Sequence, residues 1–280
     1  MITSASNKRI KNVALLVSKS KERKKQGLFV TEGVKMFLEA PDDWIREVYL
    51  SEEFIGGCGN TETAERKEDV REDEVSNKLS RLREKTDAVV ETVKADVFRK
   101  MCDTKTPQGI LCVTAMPEYD PAKLFDRKEN GLYLVLEDIQ DPGNLGTMLR
   151  AGEGAGIRGI IMSRNTADIF NPKTIRATMG SIYRVPFVYA DHLAETIRTM
   201  KASGIRTYAA HLEGEKAYDK EDYREATAFL IGNEGNGLSR QIADLADAYI
   251  KIPMLGKVES LNAAIAATLL IYEAARQRRN

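Results

Sequence analysis

Residues 132–150 read LYLVLEDIQDPGNLGTMLR. The first five are all apolar, and a short continuous apolar run is the pattern of a strand buried on both faces of a parallel sheet. The character then changes at once. Glu137, Asp138, Asp141 and Asn144 gather where the strand would end, the edge at which open α/β sheets bind ligands. Pro142 and Gly143 supply a turn. Asn144 suits the N-cap of a following helix, because its side chain can accept from a free first-turn amide. Arg150 falls somewhat under two turns along that helix. Taken alone, these residues read as caps and an exposed arginine.

C-terminal to this stretch the pattern repeats. Apolar runs at 159–162, 185–188, 205–210 and 228–231, with a short one at 249–252, predict strands. Helical spacing covers 145–155, 172–179, 193–202 and 261–276. Alternating β and α elements predict a parallel sheet covered on both faces, here spanning residues 131–280. Gly152, Gly154 and Gly156 form GxGxG, but late in a helix rather than between strand and helix, where a dinucleotide fingerprint belongs. A close helix–sheet contact and a glycine helix terminus account for them.

N-terminally, residues 116–130 hold two prolines, several charges and few apolar residues, and read as a linker. Residues 1–115 read as a smaller α/β domain. A helix over 8–19 would bury Ile10, Val13, Ala14 and Val17. Strands are expected at 28–30, 48–50, 88–92 and 109–114, and helices at 33–39 (ended by Pro41) and 95–101. Residues 56–60 read as a loop and 62–87 as an exposed, charged helix.

Hydrophobic residues at 42% and charged residues at 30% fit a soluble globular protein, and no apolar run approaches a membrane span. The opening MITSASNKRIKN lacks an apolar stretch, so no secretory leader is expected. Three widely spaced cysteines and two histidines make a structural metal site improbable and a reduced cytoplasm the natural compartment. Net charge is zero, which argues against a polyanion partner, but its distribution is uneven. Lys19, Lys21, Arg23, Lys24 and Lys25 form one basic run; Arg276, Arg278 and Arg279 form another. Both are candidate phosphate contacts, or else solvated helix faces.

Two more segments stand out. Residues 230–238, LIGNEGNGL, carry three glycines, two asparagines and Glu234 after an apolar strand. Glycines let the backbone approach a ligand closely. The absence of GK[ST] rules out a P-loop, and Glu234 would repel a pyrophosphate. Residues 252–262, IPMLGKVESLN, lead into an alanine-rich helix with Ser260 and Asn262 at its start. Ile252, Met254 and Leu255 beside these polar residues suit an adenine pocket of apolar walls and few hydrogen bonds.

Taken in order, the three segments resemble the SpoU (TrmH-type) RNA methyltransferases of the SPOUT superfamily. Asn144, Gly146 and Arg150 match N-x-G-x-x-x-R; residues 232–238 match G-N-E-G-x-G-[LM]; residues 252–262 match I-P-M-x-G…S-L-N. Residues 171–186 also look like the family. Ala151–Gly152 depart from the Thr-Ala usual after the arginine. Phe29, Glu32 and Gly33, with the junction 106–109, resemble the family's small substrate-binding domain.

The resemblance implies a deep C-terminal trefoil knot, with residues from about 232 to 276 threaded through an earlier loop. It implies S-adenosylmethionine held by Gly232, Ile252 and Leu261, with Asn233, Gly237 and Met254 in the same loops. It implies a homodimer with the active site at the interface, no metal, and a catalytic set of Arg150, Asn144, Glu234, Ser260 and Asn262. The activity implied is methyl transfer to a ribose 2′-OH in RNA, of the large ribosomal subunit by the presence of the extra domain, with tRNA the alternative. Arg150 is the family's candidate base, yet a guanidinium stays protonated in proteins, so an electrostatic and orienting role is the sounder expectation. A Rossmann oxidoreductase or a non-catalytic RNA-binding protein are the rival readings. The first lacks its glycine fingerprint, and the second does not explain the intact polar set.

Overall fold

A computed structural model of the chain describes residues 1–57, 66–125 and 130–279. It divides into two compact units, one of Met1–Pro117 with Phe170–Tyr183, the other of Glu118–Ile169 with Arg184–Asn280.

The first unit runs α1 (Lys8–Ser18), α2 (Ser20–Gln26), β1 (Leu28–Glu32), α3 (Val34–Glu39), β2 (Ile45–Ser51), α4 (Glu52–Gly57), α5 (Arg66–Lys85), β3 (Val89–Val93), α6 (Ala95–Met101) and β4 (Ile110–Ala115). Its sheet has the order β1-β4-β2-β3, antiparallel except for β2 with β3. α1 buries Ile10, Val13 and Leu16. Leu16 replaces Ala14 on the expected face, Val17 is half-buried against it, and the alanine is left to solvent. Arg23 is only 3% exposed. Its guanidinium donates to the Leu16 and Val17 carbonyls at the end of α1, at 2.7 and 3.1 Å, so it is withdrawn from the basic run. Lys19, Lys21, Lys24 and Lys25 remain exposed.

α5 is less exposed than its composition suggests. Val75 and Leu82 are buried, and so is Lys78. The Lys78 ammonium pairs with Asp42 at 3.2 Å, donates to the Leu38 and Ala40 carbonyls and lies over the Phe37 ring. Burial lowers its pKa. Of the expected loop 56–60, residues 56 and 57 end α4 and the rest lie outside the described residues, as do Cys58 and the first residues of the charged helix.

The second unit begins earlier than expected, within the stretch read as a linker. A short helix, α7 (Pro121–Leu124), carries Leu124 and Phe125 into the core, and the Leu124 carbonyl accepts from the Tyr133 hydroxyl at 2.9 Å. Residues 126–129 of that linker lie outside the described residues. Then follow β5 (Leu132–Leu136), α8 (Pro142–Ala155) and β6 (Gly159–Ser163). α9 (Pro172–Thr178) belongs to the first unit, where Phe170 packs on Phe29 and Arg176 pairs with Asp103. The second unit resumes with β7 (Phe187–Ala190), α10 (Leu193–Ala202), β8 (Arg206–Ala210), β9 (Lys216–Ala217), β10 (Thr227–Ile231), α11 (Arg240–Ala243), β11 (Ala248–Lys251) and α12 (Ala263–Arg278).

These strands form one parallel sheet in the order β7-β6-β5-β10-β8-β11-β9. Every residue of β5, β6 and β10 is buried, as strands covered on both faces require. The strand order reverses between β5 and β10. Such a switch point opens a crevice beyond the carboxyl ends of the two strands.

α12 packs on α8, β5 and β10. Its buried Ala263, Ala264, Ala267 and Ala274 allow close approach. The glycines of α8 serve two contacts: a Cβ on Gly152 would stand 2.2 Å from Ile157 Cδ1, just before β6, and one on Gly154 would stand 2.6 Å from the Tyr272 hydroxyl of α12. Gly156 closes α8 in the left-handed conformation, as expected. Arg278 does not join a basic patch. It donates to the Tyr223, Glu225 and Asn130 carbonyls, pinning the end of α12. Arg276 is paired with Glu273.

Candidate active site

The three sequence segments meet at the switch point. β5 and β10 run in register to Leu136 and Ile231, and the Glu137 amide extends the pairing by donating to the Ile231 carbonyl at 2.9 Å. The chain leaving β5 turns through Asp138, whose φ of 54° is rare for a non-glycine residue. That turn is held on three sides. The Ser163 hydroxyl donates to the Asp138 carboxylate at 2.6 Å and accepts from its amide at 2.8 Å, and Asn233 donates to its carbonyl at 2.8 Å.

Beyond the turn, α8 starts three residues earlier than expected. Asp141, not Asn144, is the N-cap, accepting from the Asn144 amide at 2.9 Å, and Pro142 occupies the first turn. This frees the Asn144 side chain. Its Nδ2 donates to Glu234 Oε1 at 3.0 Å, and its Oδ1 accepts from Asn262 Nδ2 at 3.0 Å. Asn262 in turn caps α12, accepting from the Ala264 and Ile265 amides. One residue from each segment thus forms the chain Glu234–Asn144–Asn262.

Glu234 is the hub. Besides Asn144 it accepts from the Gln140 and Asp141 amides at 3.0 and 3.1 Å. Desolvation pushes its pKa up, but the hydrogen bonds from Asn144, Gln140 and Asp141 together outweigh that and hold the carboxyl below its ordinary value. Glu234 is therefore an ionised acceptor that ties the β10 loop to the start of α8. Glu137 does similar service by accepting from both the amide and the hydroxyl of Ser239 at 2.7 Å.

The β10 loop is tight. Asn233 and Gly237 exchange backbone hydrogen bonds of 3.1 and 2.9 Å, and Gly237 is left-handed at φ 67°. A Cβ on Gly232 would stand 2.0 Å from the Gly237 carbonyl carbon and the Leu238 nitrogen. Only glycine lets the loop fold back over its own start.

A cavity of about 380 Å³ opens beside this loop, at the carboxyl ends of β8, β10 and β11. Gly232, Asn233, Gly237, Ile252, Met254 and Leu261 all line it, as do Glu234 and Ser260. Asn144 and Asn262 reach it through Glu234. Leu255, expected in the apolar wall, is instead fully exposed, because residues 253–262 form an irregular loop that turns it outward. Arg150 lies apart. It is exposed on α8 and makes no hydrogen bond or ion pair among the described residues. Ala210, His211 and Leu212 also line the cavity. Sequence reasoning missed them, because nothing local shows that β8 lies beside β10.

Residues 131–272 match the SpoU rRNA Methylase family. The chain belongs to that family. Residues 7–112 match the MRM3-like substrate binding domain. The chain is similar to the 23S rRNA (guanosine(2553)-2'-O)-methyltransferase RlmP of Bacillus subtilis, at 32% identity over 97% of each chain. Among solved structures it resembles an AdoMet-bound rRNA methyltransferase from Sinorhizobium meliloti, with TM-score 0.83 and 29% identity over 98% of this chain and 97% of that one. It also resembles the SpoU methyltransferase AviRb from Streptomyces viridochromogenes in complex with AdoMet, with TM-score 0.80 and 26% identity over 98% and 99%.

This SpoU family member is an S-adenosylmethionine-dependent RNA methyltransferase, which sets aside the oxidoreductase and non-catalytic readings. The cavity fits the cofactor. Ile252, Met254 and Leu261 are apolar, the tight loop offers main-chain polar groups, and the carboxylates of Glu234 and Glu259 suit a cationic ligand. Its volume is in the usual range for small-molecule sites.

Proposed function

We propose that this chain methylates a ribose 2′-OH in 23S-type rRNA. The observation that carries the reading is the Glu234–Asn144–Asn262 chain, which joins all three segments at the rim of one cavity. Gly232, Asn233, Gly237, Ile252, Met254 and Leu261 hold S-adenosylmethionine, which supplies an electrophilic methyl group. Ser260 and the Asn144–Glu234 pair orient the ribose. Arg150 is a permanent cation that binds the substrate phosphate and steadies charge developing on the attacking oxygen.

Arg150 lies outside the cavity lining, and a homodimer reconciles this. Ile265, Leu269 and Tyr272 form an exposed apolar stripe at helical spacing on α12, with Leu255 and Val258 exposed in the preceding loop. Large exposed apolar patches mark interaction sites. Arg150 shares an exposed face of α8 with Gly154, on which Tyr272 packs, so the stripe runs on toward it. A second copy covering the stripe brings Arg150 to the interface and completes the site there. The position of β10 between β5 and β8, under α12, supports a C-terminal trefoil knot made by residues 232–276. Residues 1–115 serve as the RNA-recognition domain, joined through 116–130 to the methyltransferase domain. The enzyme works in the cytoplasm, where its RNA is; among the described residues no helix is long and apolar enough to cross a membrane.

Tritiated-methyl transfer to transcribed 23S rRNA and to bulk tRNA tests the reading, followed by mapping of 2′-O-methyls. Label on 23S rRNA alone is expected; label on tRNA alone would overturn the choice of substrate.

A further inference from the structure

A second cavity lies wholly within the first unit. It measures about 390 Å³, in the range that admits a nucleotide-sized ligand. Its walls come from the end of β2 with α4, from α6, and from the segment before β4. Of the sequence motifs, only the junction 106–109 falls on it, and all four of its residues line the wall.

Phe98 of α6 is 1% exposed and gives the cavity an apolar base. Phe54 of α4 is half-buried and lines the same space. Its position depends on Gly109, where a Cβ would stand 2.6 Å from the Phe54 Cβ and 3.1 Å from the ring. Gly109 also has φ +83°, so the backbone can lie against the aromatic side chain only with glycine there. Gln108 is fixed as well. Its Oε1 accepts from the Val34 amide at 3.0 Å, which leaves its NH₂ as a donor. Arg99 is neutralised by Glu53 at 2.7 Å. Lys105 is exposed and has no partner among the described residues, which makes it the one lining charge without a counter-charge.

An aromatic side chain, an oriented carboxamide and an unpaired lysine around a nucleotide-sized space form a chemically specific set. Paired bases in an A-form helix are stacked on each other and hidden from side chains in a deep major groove, whereas an unpaired base can stack on an aromatic ring and be read at its edge. We propose that this cavity takes one extruded nucleotide of the substrate RNA, its base against Phe54 and Gln108 and its phosphate near Lys105. The proposal rests on the reading of this chain as an rRNA methyltransferase. It adds that the first unit recognises a point in the RNA that is out of the stack.

The test uses the full chain and transcribed 23S rRNA carrying 4-thiouridine. Ultraviolet crosslinking followed by peptide mapping should place a crosslink on Phe54 or within residues 98–109. Phe54→Leu keeps the apolar volume but removes the ring. It should abolish that crosslink and raise KM for rRNA by about 5- to 100-fold, the range expected from losing one base–aromatic stack. Neither kcat nor the Kd for S-adenosylmethionine should change, and Phe54→Trp should restore KM. A normal KM in Phe54→Leu, with crosslinks only elsewhere, overturns the proposal and leaves the methyltransferase reading standing. Free mononucleotides that compete at the Kd of the rRNA would overturn it too, by making the cavity a small-molecule site. If the wild-type chain neither binds nor methylates 23S rRNA, the substrate reading falls and this proposal with it.

Discussion

Gly232→Ala is the sharpest perturbation of the proposed cofactor site. The added methyl would sit 2.0 Å from Gly237 C and Leu238 N and 2.3 Å from Gly237 O. Carbon contacts settle near 3.5 Å, so the loop must retreat by about 1.5 Å. All three clashing atoms are backbone, so no side chain can swing aside. Retreat breaks the two hydrogen bonds between Asn233 and Gly237. Those bonds hold the loop shut by about 2 kcal/mol together, and a methyl forced against backbone this closely costs more, about 4 kcal/mol, so the opened loop is favoured by roughly 2 kcal/mol in the variant. Binding must first restore the tight form, so cofactor affinity falls by about 30-fold. Isothermal titration with S-adenosylhomocysteine measures this, with urea unfolding to show the fold intact. Gly256→Ala is the control, since nothing lies within 4 Å of its Cβ position. Wild-type affinity in Gly232→Ala would refute the claim that this close approach shapes the pocket.

Other outcomes follow from the same geometry. Arg150→Ala should lower methyl transfer by at least about 100-fold while leaving cofactor affinity and thermal midpoint unchanged, because the residue is exposed; a tritiated-methyl assay beside calorimetry decides it. Glu234 has a depressed pKa in the fold, so its ionised form stabilises at neutral pH and that contribution is lost as pH falls. Glu234→Gln should therefore melt about 2–4 °C below wild type at pH 7, the two curves converging below the ordinary carboxyl value of 4.5; a gap independent of pH would contradict the account. Leu269→Asp on the exposed stripe of α12 should give a folded monomer by sedimentation, with activity lost. Arg23→Ala should destabilise the first unit by about 1–3 kcal/mol in urea, since two carbonyls lose their donor. Lys24→Ala with Lys25→Ala should leave stability alone and flatten the salt dependence of RNA binding.

The parts of the fold written in local pattern were legible. Leu132–Leu136, Leu193–Ala202 and Ala95–Met101 occupy the residues that their apolar runs and periodicity predict. β9, with two residues, is too short to show a period. Arg23 and Lys78 were misread because charge normally marks the surface, and only the folded chain reveals carbonyls waiting for them. The loops of the proposed cofactor site were marked by glycine and asparagine, and it was their order along the chain that gave the resemblance its weight. The partners of Asn144 were not: a capping residue and a cross-linking residue look alike in sequence, and Asp141 proved to be the cap. His211 escaped notice because strand order, unlike strand position, leaves no local trace.

The asparagine–glutamate chain also bears on biosynthesis. Its links join residues 90 and 118 positions apart. While a nascent chain still lacks Asn262, Asn144 has no counterpart for its carbonyl, and α12, which follows Asn262, has yet to be made and seated on α8. The site is thus assembled at the end of folding from contacts of long sequence separation, which form slowly. A polypeptide emerging from the ribosome has every residue of its first unit, through Tyr183, before it has those that close this chain.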